Sequence, residues 1–372
     1  MTSGWAPTFA DVDRMAFLPD LMWPFDMDKG VSVTVDRATD PDAWYAAADG
    51  NIPIVTQWDD GEHTGTEPGR VPTSASSKPS VVYSLFQDLA ADEGMSVLDV
   101  GTGTGETAGA LFHRCGQGRR GPGKVTTIEV DRSVSRQARE RLRAAGLFPE
   151  VVVGDGYAGY ADNAPYDRVL ATVGLRRIPG AWIEQTRRGG LIVAPWGTHY
   201  CHADAVARLV VNDGQAQGHF TRPVEFMKLR AQRLPRLGHS DYVPAGAMDS
   251  ADTSTTTVTE PEFVTGRHTA VSFALGLRVR DCSQAVADKR DGTRPVWFYG
   301  LSDRSWACVM FRDGEKEACV WQSGPRRLWD EVEYAYRWWI SCGRPDHTRF
   351  GLTVTAEGER VWLDDPADSW AV

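Results

Sequence analysis

The sequence of 372 residues lacks several features that mark common classes of protein. It has no apolar run of about 18 residues, the length that a membrane-spanning helix needs. Its first residues, Met-Thr-Ser-Gly-Trp-Ala, do not form the basic segment followed by an apolar one that is typical of a secretory signal. The net charge of −10 argues against broad nucleic-acid binding. We therefore expect a cytoplasmic protein that contacts neither membranes nor nucleic acids.

Cysteine is also scarce, with six residues and no Cys-x-x-Cys pair. Neither a zinc site nor a disulfide framework is expected from this pattern. His199 and His202 stand three residues apart, but no second pair of ligands lies nearby in the sequence, so a turn is the favoured interpretation. No metal cofactor is predicted.

The most informative feature that is present is a short apolar strand running into a glycine-rich turn, Val-Leu-Asp-Val-Gly-Thr-Gly-Thr-Gly at 97–105. Glycines at alternate positions let the backbone turn tightly and approach a ligand that a Cβ atom would exclude. A helix is predicted at 106–112, and the next strand ends at Glu129, an acidic residue suited to bind ribose hydroxyls. Because the turn is Gly-x-Gly-x-Gly rather than Gly-x-Gly-x-x-Gly, it favours S-adenosylmethionine, which has no pyrophosphate, over a dinucleotide.

Strand and helix signals continue to alternate after this turn. The next strand, 151–153, leads to Asp155, whose carboxylate can accept a hydrogen bond from an adenine amino group or can belong to a solvated turn. Further strands are predicted at 168–173 and 191–194, with a helix over 180–187 between them. This order predicts an α/β fold with a doubly wound, mostly parallel sheet.

Over roughly residues 70–200 the sequence resembles the protein-L-isoaspartate O-methyltransferase family. Besides the glycine turn, the resemblance depends on Val-Val-Val-Gly-Asp-Gly at 151–156, Ala-Pro-Tyr-Asp-Arg-Val at 164–169, and Ile-Glu-Gln followed by Gly-Gly-Leu-Ile-Val within 183–193. It implies a class I S-adenosylmethionine-dependent methyltransferase core that esterifies a carboxylate. It further implies that the cofactor is bound by the glycine turn and the ends of the next two strands, namely Asp99, Gly101, Thr102, Gly103, Thr104, Gly105, Glu129, Val130, Asp155 and Gly156.

The same family has a Ser-Gln-Pro or Ser-Ala-Pro element before its first core strand, and the serine hydroxyl lies beside the carboxylate that is methylated. Ser77 is the matching serine here, although Lys78 replaces the glutamine or alanine. Because a run of hydroxyl-bearing residues precedes the proline, Ser76 is the alternative to Ser77, and Ser80 is a further candidate for substrate binding. The sequence departs from the family again at Glu106, where an aromatic residue is usual.

Basic side chains can hold an acidic peptide near the sulfonium of the cofactor, since arginine binds carboxylates in a bidentate fork. Arg176 and Arg177 are the better-placed candidates because they follow closely after a strand, and ligands bind at the carboxyl ends of strands in open α/β sheets. Surface solubility is the alternative interpretation, and it applies equally to a second basic group made of Arg114, Arg119, Arg120 and Lys124.

The chain is longer than the roughly 200 residues that such a core needs. We divide it into an N-terminal extension (1–70), a methyltransferase core (71–235), a linker (236–258) and an extra α+β C-terminal domain (259–372). In the last of these, 271–279 is predicted as a strand. The eight tryptophans of this region are expected mainly in packing, although aromatic side chains are also enriched at binding surfaces.

Trp-Tyr at 44–45 and Ile-Pro-Ile-Val-Thr-Gln-Trp at 52–58 are expected to pack across the mouth of the cofactor site. With the tryptophan-rich tail, these segments resemble the isoaspartyl-methyltransferase homologues of ribosomal-peptide biosynthesis in lanthipeptide, lasso-peptide and graspetide pathways. This resemblance implies esterification of an aspartyl side chain in a precursor peptide, followed by collapse to an aspartimide or isoaspartate. Repair of L-isoaspartate in damaged proteins and an inactive peptide-binding scaffold are the alternatives. We expect a monomer or a weak dimer.

Overall fold

The structure, a computed structural model, describes residues 4–27, 29–116, 123–235, 238–266 and 269–372. These residues form three β-sheets with helices packed against them. The elements before the core are α1 (Ala6–Asp11), β1 (Leu21–Asp26), β2 (Val31–Ser32), β3 (Val35–Asp36), α2 (Pro41–Asp49), β4 (Ile54–Trp58) and β5 (Pro72–Ser76). They build a small sheet in the order β2-β1-β4-β5, with β3 also paired to β1. Because β5 is its last strand, this sheet carries the hydroxyl-rich segment that precedes Ser77.

The core follows as α3 (Pro79–Leu89), β6 (Ser96–Val100), α4 (Glu106–Gly116), β7 (Lys124–Glu129), α5 (Arg132–Ala144), β8 (Glu150–Val153), β9 (Tyr166–Ala171), α6 (Gly180–Glu184), β10 (Thr186–Trp196), β11 (Asp204–Asn212) and β12 (Gln215–Val224). Strands β8, β7, β6, β9 and β10 are neighbours in that order and run parallel, whereas β11 and β12 continue the sheet antiparallel. The predicted α/β fold with a mostly parallel arrangement in its core is confirmed.

Both faces of this sheet are covered, so its strands bury apolar side chains on both faces. Leu98 and Val169 are fully buried in one core, and Val97 and Leu170 are fully buried in the other, because successive side chains of a strand point to opposite faces. The helix predicted over 180–187 is shorter than expected, since α6 ends at Glu184 and β10 begins two residues later.

The remaining elements are α7 (His239–Tyr242), β13 (Asp252–Thr256), α8 (Glu260–Phe263), α9 (Ala270–Arg278), β14 (Cys282–Val286), β15 (Thr293–Gly300), β16 (Trp306–Arg312), β17 (Ala318–Ser323), α10 (Leu328–Ser341), β18 (Phe350–Thr355), β19 (Gly358–Leu363) and β20 (Trp370–Ala371). Strands β13 to β17 form an antiparallel sheet in the order β13-β17-β16-β15-β14. Strands β18 to β20 instead extend the central sheet beyond β12, so that it has ten strands.

The strand predicted at 271–279 is wrong, because these residues form helix α9. An apolar run of this length fits a strand or a buried helix equally well, and here Phe273, Ala274 and Leu277 pack into the core of the central sheet. The predicted linker 236–258 contributes β13 to the smaller sheet, and the predicted C-terminal domain gives its last three strands to the central sheet. The division of the chain into four segments therefore stays a prediction. In the described part of the chain, no helix has the length and apolar character to cross a membrane.

Candidate functional site

A cavity opens at the carboxyl ends of the parallel strands, and four parts of the chain line it. They are the segment 73–77 from the N-terminal sheet, the glycine turn after β6, the end of β7 at 128–130, and the segment 226–230 after β12. Thr172 and Val173, which follow β9, contribute as well. The first and last of these parts lie about 150 residues apart in sequence, and the fold brings them together over the glycine turn.

The glycine turn leaves backbone exposed where side chains have no room. Gly101 has a φ of +99°, and a Cβ atom there would lie 2.8 Å from Cγ1 of Val173. A Cβ atom at Gly156, after β8, would lie 2.6 Å from Cγ1 of Val100. Both glycines, together with Thr102, Gly103 and Thr104, line the cavity, so a ligand can approach main-chain atoms directly.

Glu129 lies at the tip of β7 and joins two structural elements at the cavity. One carboxylate oxygen accepts a hydrogen bond from the Gly103 N–H at 3.1 Å, and the other accepts one from the Asp131 N–H at 3.1 Å. Burial raises the pKa of Glu129, although these two hydrogen bonds act in the opposite direction. Val130, the next residue, is 44% exposed and also lines the cavity. A carboxylate and an apolar side chain are therefore adjacent in the lining of the cavity.

Asp99 lies beneath the turn and does not line the cavity. It is fully buried and accepts a hydrogen bond from Oγ1 of Thr127 at 2.8 Å, and Thr127 is itself 2.7 Å from Oγ1 of Thr102. Burial raises the pKa of Asp99 to about 7. Asp155 is exposed, outside the cavity lining, and accepts a hydrogen bond from the Tyr157 N–H. Asp99 thus supports the glycine turn from below, whereas Asp155 lies at the rim of the cavity, next to Gly156.

The two candidate serines differ in what their hydroxyls already bind. Ser76 is 2% exposed, donates to Glu106 Oε2 at 3.0 Å and accepts from Arg14 Nε at 3.0 Å. Ser77 is half-buried and lines the cavity, and its hydroxyl has no hydrogen-bond partner among the described residues. Ser80 is exposed and outside the lining, and its N–H donates to Asn51 Oδ1. Ser77 therefore has the hydroxyl that remains available to a ligand.

The basic residues predicted from the sequence do not line the cavity, and a lysine that was not predicted does. Arg176 is held by the buried Asp204 at 2.7 Å, and Arg177 is exposed. Lys228 lines the cavity and forms an ion pair with the same Asp204. Two cations share one carboxylate, so this cluster retains a positive charge beside the cavity. No sequence motif marks Lys228, because it follows an antiparallel strand distant from the glycine turn.

The second basic group lies elsewhere. Lys124 begins β7 and is therefore at the end of the sheet opposite the cavity, and Arg114 pairs with Asp92 at 2.9 Å. Arg119 and Arg120 lie outside the described residues. A basic groove at the cavity is thus not built from Arg114 or Lys124.

The N-terminal extension contacts the segment after β12 beside the cavity. Residues 44–45 and 52–58, predicted to pack across its mouth, do not line it, and Trp44 is buried in the core of the extension itself. Arg230 Nε is 3.0 Å from Asp60 Oδ1, and Arg230 Nη2 is 3.1 Å from Asp131 Oδ2. Gln57 Nε2 donates to the same Asp131 oxygen at 3.0 Å, and Arg233 pairs with Asp60 at 3.0 Å. These contacts join the extension, the core and the segment 226–233 beside the cavity.

His199 and His202 lie near Arg176, and burial lowers the pKa of both, that of His199 to about 4. Across the described ranges, no group of three or more His, Cys, Asp or Glu side chains is arranged to hold a metal ion.

Comparison with known proteins supports the resemblance of the core. The family model described as Protein-L-isoaspartate(D-aspartate) O-methyltransferase (PCMT) matches residues 66–233. A protein-L-isoaspartate O-methyltransferase of Methanococcus maripaludis strain C5 is 41% identical over 117 residues, which are 31% of this chain and 53% of the relative. Protein-L-isoaspartate O-methyltransferase 2 of Polaromonas sp. strain JS666 is 36% identical over 159 residues, or 42% of this chain and 72% of the relative. The chain spans about half the length of the first of these relatives.

A solved structure of a protein-L-isoaspartate O-methyltransferase superposes on the whole chain, with a TM-score of 0.52 and 20% identity, covering 98% of this chain and 96% of that chain. The fold is that of class I S-adenosylmethionine-dependent methyltransferases, with extra sheets at both ends. Because the likeness covers the ends as well as the core, the additional sheets are not peculiar to this chain.

Proposed function

The chain belongs to the protein-L-isoaspartate O-methyltransferase family, and we propose that it transfers a methyl group from S-adenosylmethionine to an aspartyl or isoaspartyl carboxylate in a peptide. The observation that supports this most strongly is the cavity itself. The free hydroxyl of Ser77, the glycine turn and the carboxylate of Glu129 all line one cavity at the carboxyl ends of the parallel strands.

The residues present fit the cofactor. The Glu129 carboxylate would bind the ribose hydroxyls, Val130 would pack against the adenine, and Asp155 with Gly156 would lie at its edge. Gly101 would let the ligand approach the backbone. When bound, the cofactor supplies an electrophilic methyl group on a positively charged sulfur.

Methylation of a carboxylate needs no general base from the protein, because an aspartate with a pKa of about 4 is already ionised at neutral pH. The rate would come from alignment of the carboxylate oxygen with the methyl group and from exclusion of water. Ser77 would donate a hydrogen bond to one carboxylate oxygen and leave the other free to react. Lys228, which lines the same cavity and shares Asp204 with Arg176, would attract the anionic side chain.

For the substrate, we propose an aspartate of a ribosomal precursor peptide. The support is the resemblance of the terminal segments to methyltransferases of such pathways. The methyl ester is a better electrophile than the carboxylate, so the backbone nitrogen of the next residue can attack the side-chain carbonyl and expel methanol, which closes a five-membered aspartimide. Repair of L-isoaspartate is the second candidate, because a solved family member shares this architecture over almost its whole length.

The test incubates the full chain with radiolabelled S-adenosylmethionine and three peptides, namely an isoaspartyl peptide, its aspartyl isomer of the same sequence, and a precursor encoded beside the gene. Labelling of the precursor followed by loss of methanol in mass spectrometry supports the biosynthetic role. Efficient labelling of unrelated isoaspartyl peptides supports repair instead. If no peptide is labelled, the proposed function is wrong. If Ser77→Ala labels a peptide as fast as the wild type does, the role proposed for Ser77 is wrong.

A further inference from the structure

Arg14, in a single helical turn of the N-terminal extension, uses its whole guanidinium group to join that extension to the wall of the cavity. Its Nη1 donates to the carbonyl oxygens of Ala48 at 3.2 Å and Gly50 at 2.9 Å. Its Nη2 donates to the carbonyl oxygens of Ile52 at 2.9 Å and Ser77 at 3.3 Å. The fifth N–H, on Nε, donates to the Ser76 hydroxyl at 3.0 Å. A guanidinium has five N–H donors, and all five are used.

The acceptors fall into two groups, and the pairing of β4 with β5, which places Ile54 opposite Ser76, also joins these parts of the chain. Three carbonyls belong to the end of α2 and the turn that follows it, and the other two acceptors belong to the pair Ser76-Ser77. The same turn makes a second contact close by, since Asn51 Oδ1 accepts a hydrogen bond from the Ser80 N–H at 3.0 Å. The backbone on both sides of Lys78 is therefore fixed by the extension.

Glu106, on the core side of the cavity wall, contacts the same serine as Arg14. Its Oε2 accepts from the Ser76 hydroxyl at 3.0 Å and lies 3.8 Å from Arg14 Nε. Burial raises the pKa of Glu106, while Arg14 acts to lower it. Because α4 begins at Glu106, directly after the glycine turn, Ser76 is held between the extension and the helix that follows the turn.

We propose that Arg14 is a positioning residue for methyl transfer: its fork of hydrogen bonds fixes the Ser76-Ser77 backbone so that the free hydroxyl of Ser77 meets the substrate carboxylate in the reactive geometry. This inference rests on the proposed function. It gives the N-terminal extension a part in the rate of the reaction, in addition to any part in binding the peptide.

A different role for the same residues would be charge compensation. Without Arg14, the Glu106 carboxylate would be an uncompensated anion in the wall of a cavity that must accept a substrate anion, and like charges repel. The two roles differ in what they need. Compensation needs only a positive charge, which lysine supplies, whereas positioning needs the planar fork, which lysine lacks.

The experiment uses the full chain and the synthetic peptide that the wild type labels in the assay above. It compares Arg14→Lys, Arg14→Gln, Glu106→Gln and the double variant Arg14→Gln/Glu106→Gln. Arg37→Gln is the matched control, since Arg37 is an arginine of the same extension that pairs with Asp20 and Tyr45 at the surface. Initial rates give kcat and the peptide KM, and calorimetry gives the Kd for S-adenosylmethionine.

We expect kcat to fall roughly 10- to 100-fold in Arg14→Lys and in the double variant, because misplacement by about 1 Å costs a factor of this order. The peptide KM and the cofactor Kd should stay within about threefold of wild type. Glu106→Gln keeps both the fork and an acceptor for Ser76, so its kcat should fall by less than about threefold. This isosteric variant tests the inference even if the Arg14 variants do not fold.

Three results would overturn the inference while the proposed function stands: wild-type kcat in Arg14→Lys, recovery of activity in the double variant, or a large loss of kcat in Glu106→Gln with cofactor binding intact. The first two would assign charge compensation to this pair, and the third would show that the Glu106 carboxylate itself is needed for the reaction. A wild type that labels neither the isoaspartyl nor the aspartyl peptide would instead overturn the proposed function, and the inference with it.

Discussion

The substitution Glu129→Gln tests the proposed cofactor site at a residue that the sequence predicts there and that lines the cavity. Each oxygen of Glu129 accepts one backbone N–H, from Gly103 and Asp131, both at 3.1 Å. One lone pair on each oxygen therefore remains for a ribose hydroxyl. Glutamine keeps one carbonyl oxygen, and its amide group must face either the Gly103 N–H or the Asp131 N–H, where two donors cannot pair.

The size of the effect follows from this count. A hydrogen bond to a charged group contributes about 1.5–3 kcal/mol, and the variant loses at least one such bond to the ribose. At about 1.4 kcal/mol for each factor of ten, the Kd for S-adenosylmethionine should rise roughly 10- to 150-fold. The Kd for its demethylated product should rise by a similar factor, because the product keeps the same ribose hydroxyls.

Isothermal titration calorimetry of both ligands measures this change. Glu140→Gln is the matched control, since Glu140 is an exposed carboxylate on α5, the helix that follows Glu129. Burial raises the pKa of Glu129. When the pH is lowered, Glu129 should therefore become protonated, and the affinity of the wild type for S-adenosylmethionine should fall, at a higher pH than it would with an exposed glutamate. The variant should lack this pH dependence. Equal affinity in Glu129→Gln and wild type would remove Glu129 from the site.

Three further predictions concern stability. Asp204→Asn leaves Arg176 and Lys228 without their shared carboxylate, so urea denaturation should show a loss of about 3–5 kcal/mol, and a loss below about 1 kcal/mol would show that the cluster relaxes without it. Burial raises the pKa of Asp99 from its ordinary value of about 4 to about 7. Between these two pH values the folded state binds more protons than the unfolded state, so stability should fall as the pH rises from one to the other. Asp99→Asn should flatten that slope, and an unchanged slope would contradict the assignment. Deleting residues 350–372 uncovers the edge of β12, so the chain should melt lower or aggregate in light scattering, and an unchanged melting temperature would show that these strands are dispensable.

The sequence predicts one half of the cavity lining because that half is local. The glycine turn, Glu129 and Gly156 lie at the ends of consecutive parallel strands, and their spacing alone places them at one edge of the sheet. Ser77 was identified by resemblance to the family, and the structure shows that it lines the same cavity.

The other half depends on contacts between distant segments, for which a single sequence carries no signal. Lys228 enters the cavity from a segment that follows an antiparallel strand, and Arg14 reaches Ser76 across 62 residues. Arg176 follows β9 in the chain, but no sequence signal indicates that its guanidinium pairs with Asp204. For each of these three side chains, the residues that contact it are distant in sequence, and those contacts determine what it can bind.

The position of β19 changes how the role of the C-terminal region should be tested. Glu359 on this strand accepts hydrogen bonds from the Ile178 N–H at 2.5 Å and from Trp196 Nε1 at 3.1 Å, and both partners belong to the core. Removing residues 259–372 would break these bonds together with the pairing of β18, so lost activity would say nothing about peptide binding. Substitutions on α10, such as Tyr334→Ala, avoid this problem because the Tyr334 side chain is 74% exposed. If this region binds the peptide, a set of such surface variants should raise the peptide KM while the melting temperature and the Kd for S-adenosylmethionine stay unchanged. If every variant keeps the wild-type KM on the precursor, the region serves the central sheet and not the substrate.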